Sequence, residues 1–381
     1  MTSLLNDERV QATGSDAAIS KVSCTAKGYV EDPFIHLFVE PKRRTTRRSP
    51  LINRGYYART KSVDQLVLSF LRQQQNIEHT EQTEQTEQTE QTEQTEQKAK
   101  QTDLSTTITT TTTSQPLISS RNAQIITLGA GSDTLFFRLR KFYPKLSENL
   151  IIYETDFDIV VQRKQQIIAA HESLRNLTAS DQYNIFSCDL RDLSSFESGL
   201  KNMGFDSNVP TLLLSECVLI YMESEYSNQI IQWSATNIRS SIFVTYEQIK
   251  PNDAFGAMMV RNIKQRGCPL RSIHDYPTVK ALTSRYKSLG YNYICVRDMN
   301  DVYYNYIHAN DRERAEKLEL FDELEEWHLI QGHYCVAVAV NTGVKVQEEE
   351  KDGIKVTNGD ENTNCVDVFS YISEKRLDGF F

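Results

Sequence analysis

Gln124–Phe137 reads QIITLGAGSDTLFF and holds a short apolar strand, a glycine turn and a helix start in fourteen residues. Ile125, Ile126 and Leu128 form a run of strand length, and Gly129 and Gly131 allow the backbone to turn tightly against a ligand. Ser132 or Asp133 can cap the helix that follows. In an open α/β sheet the ligand crevice lies beyond the carboxyl ends of the strands near the first such turn, so the remaining ligand contacts are expected to follow strands as well. The loop also argues against one class of ligand. A dinucleotide fingerprint requires a third glycine where this chain has Thr134, and a helix start free to receive pyrophosphate, where this chain has Asp133. A carboxylate repels phosphate and tolerates an ammonium or sulfonium group.

The pattern of an apolar run ending in an acid then repeats. Leu150–Tyr153 leads into Glu154 and Asp156, the latter 27 residues beyond Gly129, where a ribose-binding carboxylate belongs in a nucleotide-binding βαβ unit. Tyr183–Ser187 leads into Cys188, Asp189 and Leu190, an acid for an adenine amino group and an aliphatic side chain for its ring. Thr211–Ser215 leads into Glu216. Each acid alone reads as a helix cap, but three at successive strand ends converge on one sheet edge. Further strands are expected at Ile242–Tyr246, Tyr291–Val296 and Tyr334–Val340, giving a seven-strand, mostly parallel α/β sheet closed by an antiparallel pair. Helices are expected at Ile159–Ala170, Asp64–Arg72, Ala254–Gln265 and within Asp298–Gln331.

These segments carry a resemblance. INRGYYAR (Ile52–Arg59), LGAGSDTLFFRL (Leu128–Leu139), YETDF (Tyr153–Phe157), CDLRDL (Cys188–Leu193), PTLLLSECVLIYM (Pro210–Met222) and YEQIKPNDAFGAMM (Tyr246–Met259) resemble leucine carboxyl methyltransferases. The resemblance implies a Rossmann-like class I fold, S-adenosyl-L-methionine as cofactor, and methylation of the C-terminal leucine carboxylate of the type 2A protein phosphatase catalytic subunit. Carried over by position, it implies that Gly129, Asp156, Asp189, Leu190 and Glu216 contact the cofactor, and that Lys21 and Arg59 reach it from outside the sheet. Arg59 and Tyr221 stand as the candidate catalytic residues, and Arg54 is a further candidate for the acceptor. A C-terminal carboxyl has a pKa of about 3.5 and is already ionised at neutral pH, so no strong general base is expected. The pH profile of turnover is expected to be flat between about 6 and 8.

Other classes are disfavoured. A related enzyme that modifies a transfer-RNA base carries a repeat-built β-propeller after this domain, and from the length of the present sequence none is expected here. A small-molecule O-methyltransferase would differ in the roof over the site, while a nicotinamide oxidoreductase conflicts with Asp133 and Thr134, and a silent scaffold with the intact acids.

The formal charge of −9 resides in two segments. Between Glu78 and Lys100 seven glutamates oppose two lysines, and from Thr342 onward nine acids oppose five bases, which leaves the remaining body close to neutral. Nothing there points to nucleic acid, and the Lys42–Arg48 basic cluster reads as a solvated loop. Seven cysteines without CxxC spacing and scattered histidines indicate a reduced setting and no metal site. No apolar run reaches the length of a membrane span, so a cytoplasmic protein is expected; a monomer is expected as well. Residues 1–20 are expected to lack fixed structure, 21–340 to form the methyltransferase domain interrupted by a disordered low-complexity insertion at 77–116, and 341–381 to form an acidic flexible tail.

Overall fold

The computed structural model of the protein describes residues 2–100 and 123–342, with side chains left aside at 2–6, 12 and 76–100. Seven strands build one sheet: β1 (Ala123–Leu128), β2 (Leu150–Asp156), β3 (Tyr183–Ser187), β4 (Thr211–Glu216), β5 (Ser241–Gln248), β6 (Tyr293–Asp298) and β7 (Tyr334–Asn341). Their order is β3-β2-β1-β4-β5-β7-β6, and only β7 runs antiparallel to its neighbours. This is the Rossmann-like, mostly parallel sheet expected, with β7 inserted between β5 and β6. The chain order reverses between β1 and β4, which opens a crevice at the carboxyl ends of β1, β2 and β4.

The strands are apolar on both faces because both are covered. On one face Ile125, Ile152, Leu212, Leu214, Val244 and Val338 pack with Tyr57, Val67, Phe70 and Leu71 of α2 (Pro50–Lys100). On the other face Ile126, Ile151, Leu213 and Phe243 pack with Ile230, Ile231 and Trp233 of a helix spanning Ser224–Asn237. The insertion between β6 and β7 contains a π-helical turn, Val302–Tyr306, and the helices Ala309–Glu316 and Leu324–Gln331, as the long polar stretch suggests. β6 lies two residues later than the apolar run implied, since Tyr291 leaves the sheet to bond Ser234 while Arg297 and Asp298 pair with Val336 and Cys335.

The helix α1 (Thr2–Ala26) is anchored at its later residues, where Ala18, Ile19 and Val22 bury against Ile35 and Val39. Across the TEQ triplets α2 continues to Lys100. Glu and Gln are good helix formers, and a helix already nucleated by buried residues extends at little cost. The threonine tract and the acidic tail from 343 lie outside the described residues. No described helix is long and apolar enough to cross a membrane.

Candidate active site

The glycine loop turns through left-handed backbone at both glycines, and at the first of them a neighbouring side chain leaves no room for a Cβ. Gly129 has φ +62°, and a Cβ there would lie 2.6 Å from Val218 Cγ2 on the segment after β4. Gly131 has φ +51° and donates its N–H to Asp156 Oδ2 at 2.8 Å. The other oxygen of Asp156 accepts from Phe157 N at 2.7 Å. Burial raises the Asp156 carboxyl above its usual range, against the pull of these two N–H groups.

Beside the loop, Asp133 takes both roles its position allows. Its Oδ1 accepts from Leu135 N at 2.6 Å in the first turn of the helix Leu135–Phe142, and its Oδ2 faces Lys21 Nζ at 3.5 Å. At the end of β4, Glu216 Oε2 lies 2.5 Å from Arg59 Nε of α2, and Arg59 Nη2 also donates to the Glu216 carbonyl. Burial opposes ionisation of Glu216 and Asp133, but Arg59 and Lys21 outweigh it for Glu216, and Lys21 and Lys164 for Asp133. Both carboxyls are held below their usual values. Lys21 is held charged by Glu216 and Asp133 against its own burial. Two cations and two anions thus share a largely buried region, with the Arg59 guanidinium 4.8 Å from the Tyr246 ring centroid.

Immediately after Glu216, Cys217 adopts φ +56°, a left-handed conformation costing about 1 kcal/mol or more for a residue with a Cβ. Its N–H donates to the Tyr246 carbonyl at 2.8 Å, which holds the turn in place. At the end of β3, Asp189 is gripped by Arg191, whose Nε lies 2.9 Å from Oδ1 and whose Nη2 lies 2.6 Å from Oδ2.

All these groups line one cavity of about 600 Å³. It collects Lys21, Arg59, Gly129, Asp156, Asp189, Leu190, Glu216 and Tyr221, the expected cofactor and catalytic candidates, but not Arg54. Tyr56, Tyr221, Tyr246 and Tyr334 also line it. Burial raises each of these phenols, Tyr334 to about 12, and lifts the Cys217 thiol to about 11. They present neutral, apolar walls at pH 7, and no histidine is among the lining residues.

A family profile described as leucine carboxyl methyltransferase matches residues 10–235. A leucine carboxyl methyltransferase 1 homolog of Arabidopsis thaliana is 35% identical over 358 residues, spanning 90% of this chain and 92% of the relative. The chain belongs to the leucine carboxyl methyltransferase family. It is a methyltransferase, and its cofactor is S-adenosylmethionine. Leucine carboxyl methyltransferase 1 of Bos taurus is 30% identical over 91% of this chain and 93% of its own. The human tRNA wybutosine-synthesizing protein 4 is 35% identical over 87% of this chain but only 44% of its own length. The cavity suits the family's cofactor: Gly129 and Gly131 line it with backbone of positive φ, and a mixed-charge floor accommodates a molecule carrying both signs.

Some residues play parts that the sequence did not disclose. Arg54 lies away from the cavity, with its guanidinium 3.9 Å from the Phe321 ring centroid, so it does not serve the acceptor there. Arg163 is exposed on its helix, while the adjacent Lys164 is buried against Glu154. Asp133 pairs with Lys21 across 112 positions, a contact no local pattern signals. Tyr56, within INRGYYAR, and Tyr246 and Tyr334, at the ends of expected strands, carry no local signal that marks them as cavity-lining.

Glu247, next to Tyr246, is buried and accepts from Ile220 N at 2.9 Å, which holds the turn carrying Tyr221. Burial raises its carboxyl to about 7, against Arg285. A folded-state value above the usual 4.5 means that the folded protein binds this proton more tightly, so stability is lost as pH rises from about 4.5 through 7. The full difference corresponds to about 3 kcal/mol as an upper bound. Glu247→Gln is therefore expected to be more stable than the parent at pH 8 and nearly equal at pH 5. Urea midpoints at the two pH values test this, and an equal shift at both would refute the assignment.

Proposed function

We propose that the protein transfers a methyl group from S-adenosylmethionine to the C-terminal leucine α-carboxylate of the type 2A protein phosphatase catalytic subunit, forming a methyl ester. The observation that carries this reading is the similarity to a leucine carboxyl methyltransferase 1 homolog across nine-tenths of both chains. The cofactor, when bound, supplies an electrophilic methyl group on a sulfonium centre. In this reading Gly129 and Gly131 let the backbone approach it, Asp156 receives ribose hydroxyls, and Asp189 with Leu190 frames adenine. Glu216, Arg59 and Lys21 hold the methionyl end, where Arg59 is matched to a carboxylate.

The residues at the reacting end support alignment and desolvation rather than proton transfer. The acceptor carboxylate arrives ionised, and the surrounding phenols are too weakly acidic to act as bases. Tyr221, Tyr246 and Tyr334 instead exclude water, which strengthens the attraction between an anionic oxygen and a cationic centre. Arg59 and Tyr221 are the catalytic pair in this proposal, the first by charge and the second by placement. A reduced cytoplasmic setting goes with it, suited to the unpaired thiols of Cys24, Cys188, Cys217, Cys268 and Cys335, as does a monomer.

The similarity to the human wybutosine-synthesis protein favours a second reading, with a tRNA-base carboxylate as acceptor. Incubation with methyl-labelled donor and either phosphatase catalytic subunit, the same subunit lacking its terminal leucine, or the tRNA precursor distinguishes them. Base-labile label on the intact subunit alone is expected. Label that persists without the leucine, or appears only on RNA, excludes the phosphatase reading.

A further inference from the structure

α1 lies across the cavity in an uneven way. Its later residues Ala18, Ile19 and Val22 are buried against Ile35 and Val39. Its earlier described residues, among them Asp7, Val10, Thr13 and Gly14, line the cavity instead. This half of the helix is therefore held over the site chiefly by polar contacts at its edges. The most extensive of them runs through Arg191, which follows β3. Its Nη2 donates to Asp189 Oδ2 at 2.6 Å and to Asp7 Oδ2 at 2.9 Å, while Nη1 donates to Asp7 Oδ1 at 3.3 Å. One planar guanidinium, a geometry suited to gripping two carboxylates at once, joins the roof to the strand end beneath it. A weaker contact, Arg9 Nη1 to the Arg266 carbonyl at 3.4 Å, ties the same half-helix to the opposite rim.

We infer that Arg191 is a positioning residue that fastens the first half of α1 over the cofactor cavity, and that its bridge to Asp7 sets how long the cofactor and its demethylated product stay bound. The inference rests on the reading of this cavity as the cofactor site. A ligand reaching from Asp189 and Leu190 to Lys21 lies under α1 along its length, because residues 7–21 of that helix supply one wall. Departure then requires the half-helix to lift, and lifting breaks the Asp7–Arg191 contact. Both side chains of the pair retain about a quarter of their exposure, so the bond is strong enough to slow opening and weak enough to permit it.

Asp7→Asn in the full chain tests this without touching Asp189. Dissociation of labelled S-adenosylhomocysteine is expected to be about five-fold faster, the effect of a partly exposed ion pair. The donor KM is expected to rise while the acceptor KM and the melting temperature stay within error, and Asp7→Glu should restore slow release. Hydrogen exchange is expected to quicken over the first half of α1 alone. If the wild-type chain binds no S-adenosylhomocysteine, the cofactor assignment falls and the inference with it. If wild type binds and Asp7→Asn releases product at the parental rate, only the latch is overturned. A lower melting temperature with unchanged release would likewise reduce the bridge to a structural contact.

Discussion

Arg59→Met is expected to lower kcat/KM for methyl transfer by a factor of about 10³, equivalent to roughly 4 kcal/mol. Arg59 reaches Glu216 from α2, outside the sheet, and both side chains are only 14% exposed. Removing one partner of such a pair leaves the other charge stranded, which costs about 3–5 kcal/mol. Lys21 also stabilises Glu216, but it is simultaneously committed to Asp133. Without Arg59 the Glu216 carboxyl therefore rises toward its burial-imposed value, and the cavity loses the cation proposed for the cofactor carboxylate. Arg59→Lys keeps the charge and loses the planar fork, so an intermediate loss is expected. Steady-state kinetics with calorimetry of S-adenosylhomocysteine separates a binding loss from a turnover loss. Arg59→Met with activity within ten-fold of the parent would remove Arg59 from the site.

The parts of this site that were legible in the sequence share one property: each is announced by its immediate neighbours. An apolar strand that stops on an acid points to Asp156, Asp189 and Glu216, and two glycines at the first strand end point to the turn. The mostly parallel sheet followed from the alternation of strands and helices, and β7 from the alternating YCVAVAV run. Contacts made across the chain were not legible in this way. Lys21 and Arg59 enter only through the family resemblance, because what buries them is a roof contributed by distant segments. The conformation of Cys217 has no sequence signature, since a cysteine with φ +56° is dictated by the Tyr246 carbonyl and the ion pair beside it. For the TEQ repeats composition describes an isolated segment, whereas the residues before them belong to a helix whose nucleus is set by packing at Leu66, Val67 and Phe70.

The buried chain of charges behind the glycine loop is expected to govern stability more than any other polar group described here. Lys164 is 2% exposed, with Nζ 2.5 Å from Glu154 Oε2 and 2.8 Å from the Asp133 carbonyl. Glu154 is 1% exposed and also accepts from the Tyr183 hydroxyl at 2.7 Å. Lys164→Met is expected to cost about 3–5 kcal/mol, because Glu154 is left as an uncompensated buried acid and the Asp133 carbonyl loses its donor. The pH dependence follows in sign. Burial already raises the Glu154 carboxyl and Lys164 opposes it, so the variant raises it further, and protonation at lower pH relieves the penalty. The loss should therefore be larger at pH 8 than at pH 5. Replacing both partners, Lys164→Met with Glu154→Leu, removes the stranded charge and is expected to recover a good part of the stability, since an apolar pair of similar volume often matches a buried ion pair. Recovery will be incomplete, because the Tyr183 hydroxyl and the Asp133 carbonyl then lack partners in the interior. Denaturant unfolding of the two single variants and the double variant measures the coupling directly. A double variant no more stable than Lys164→Met alone would show that the loop is held by the Asp133 carbonyl contact and not by the ion pair.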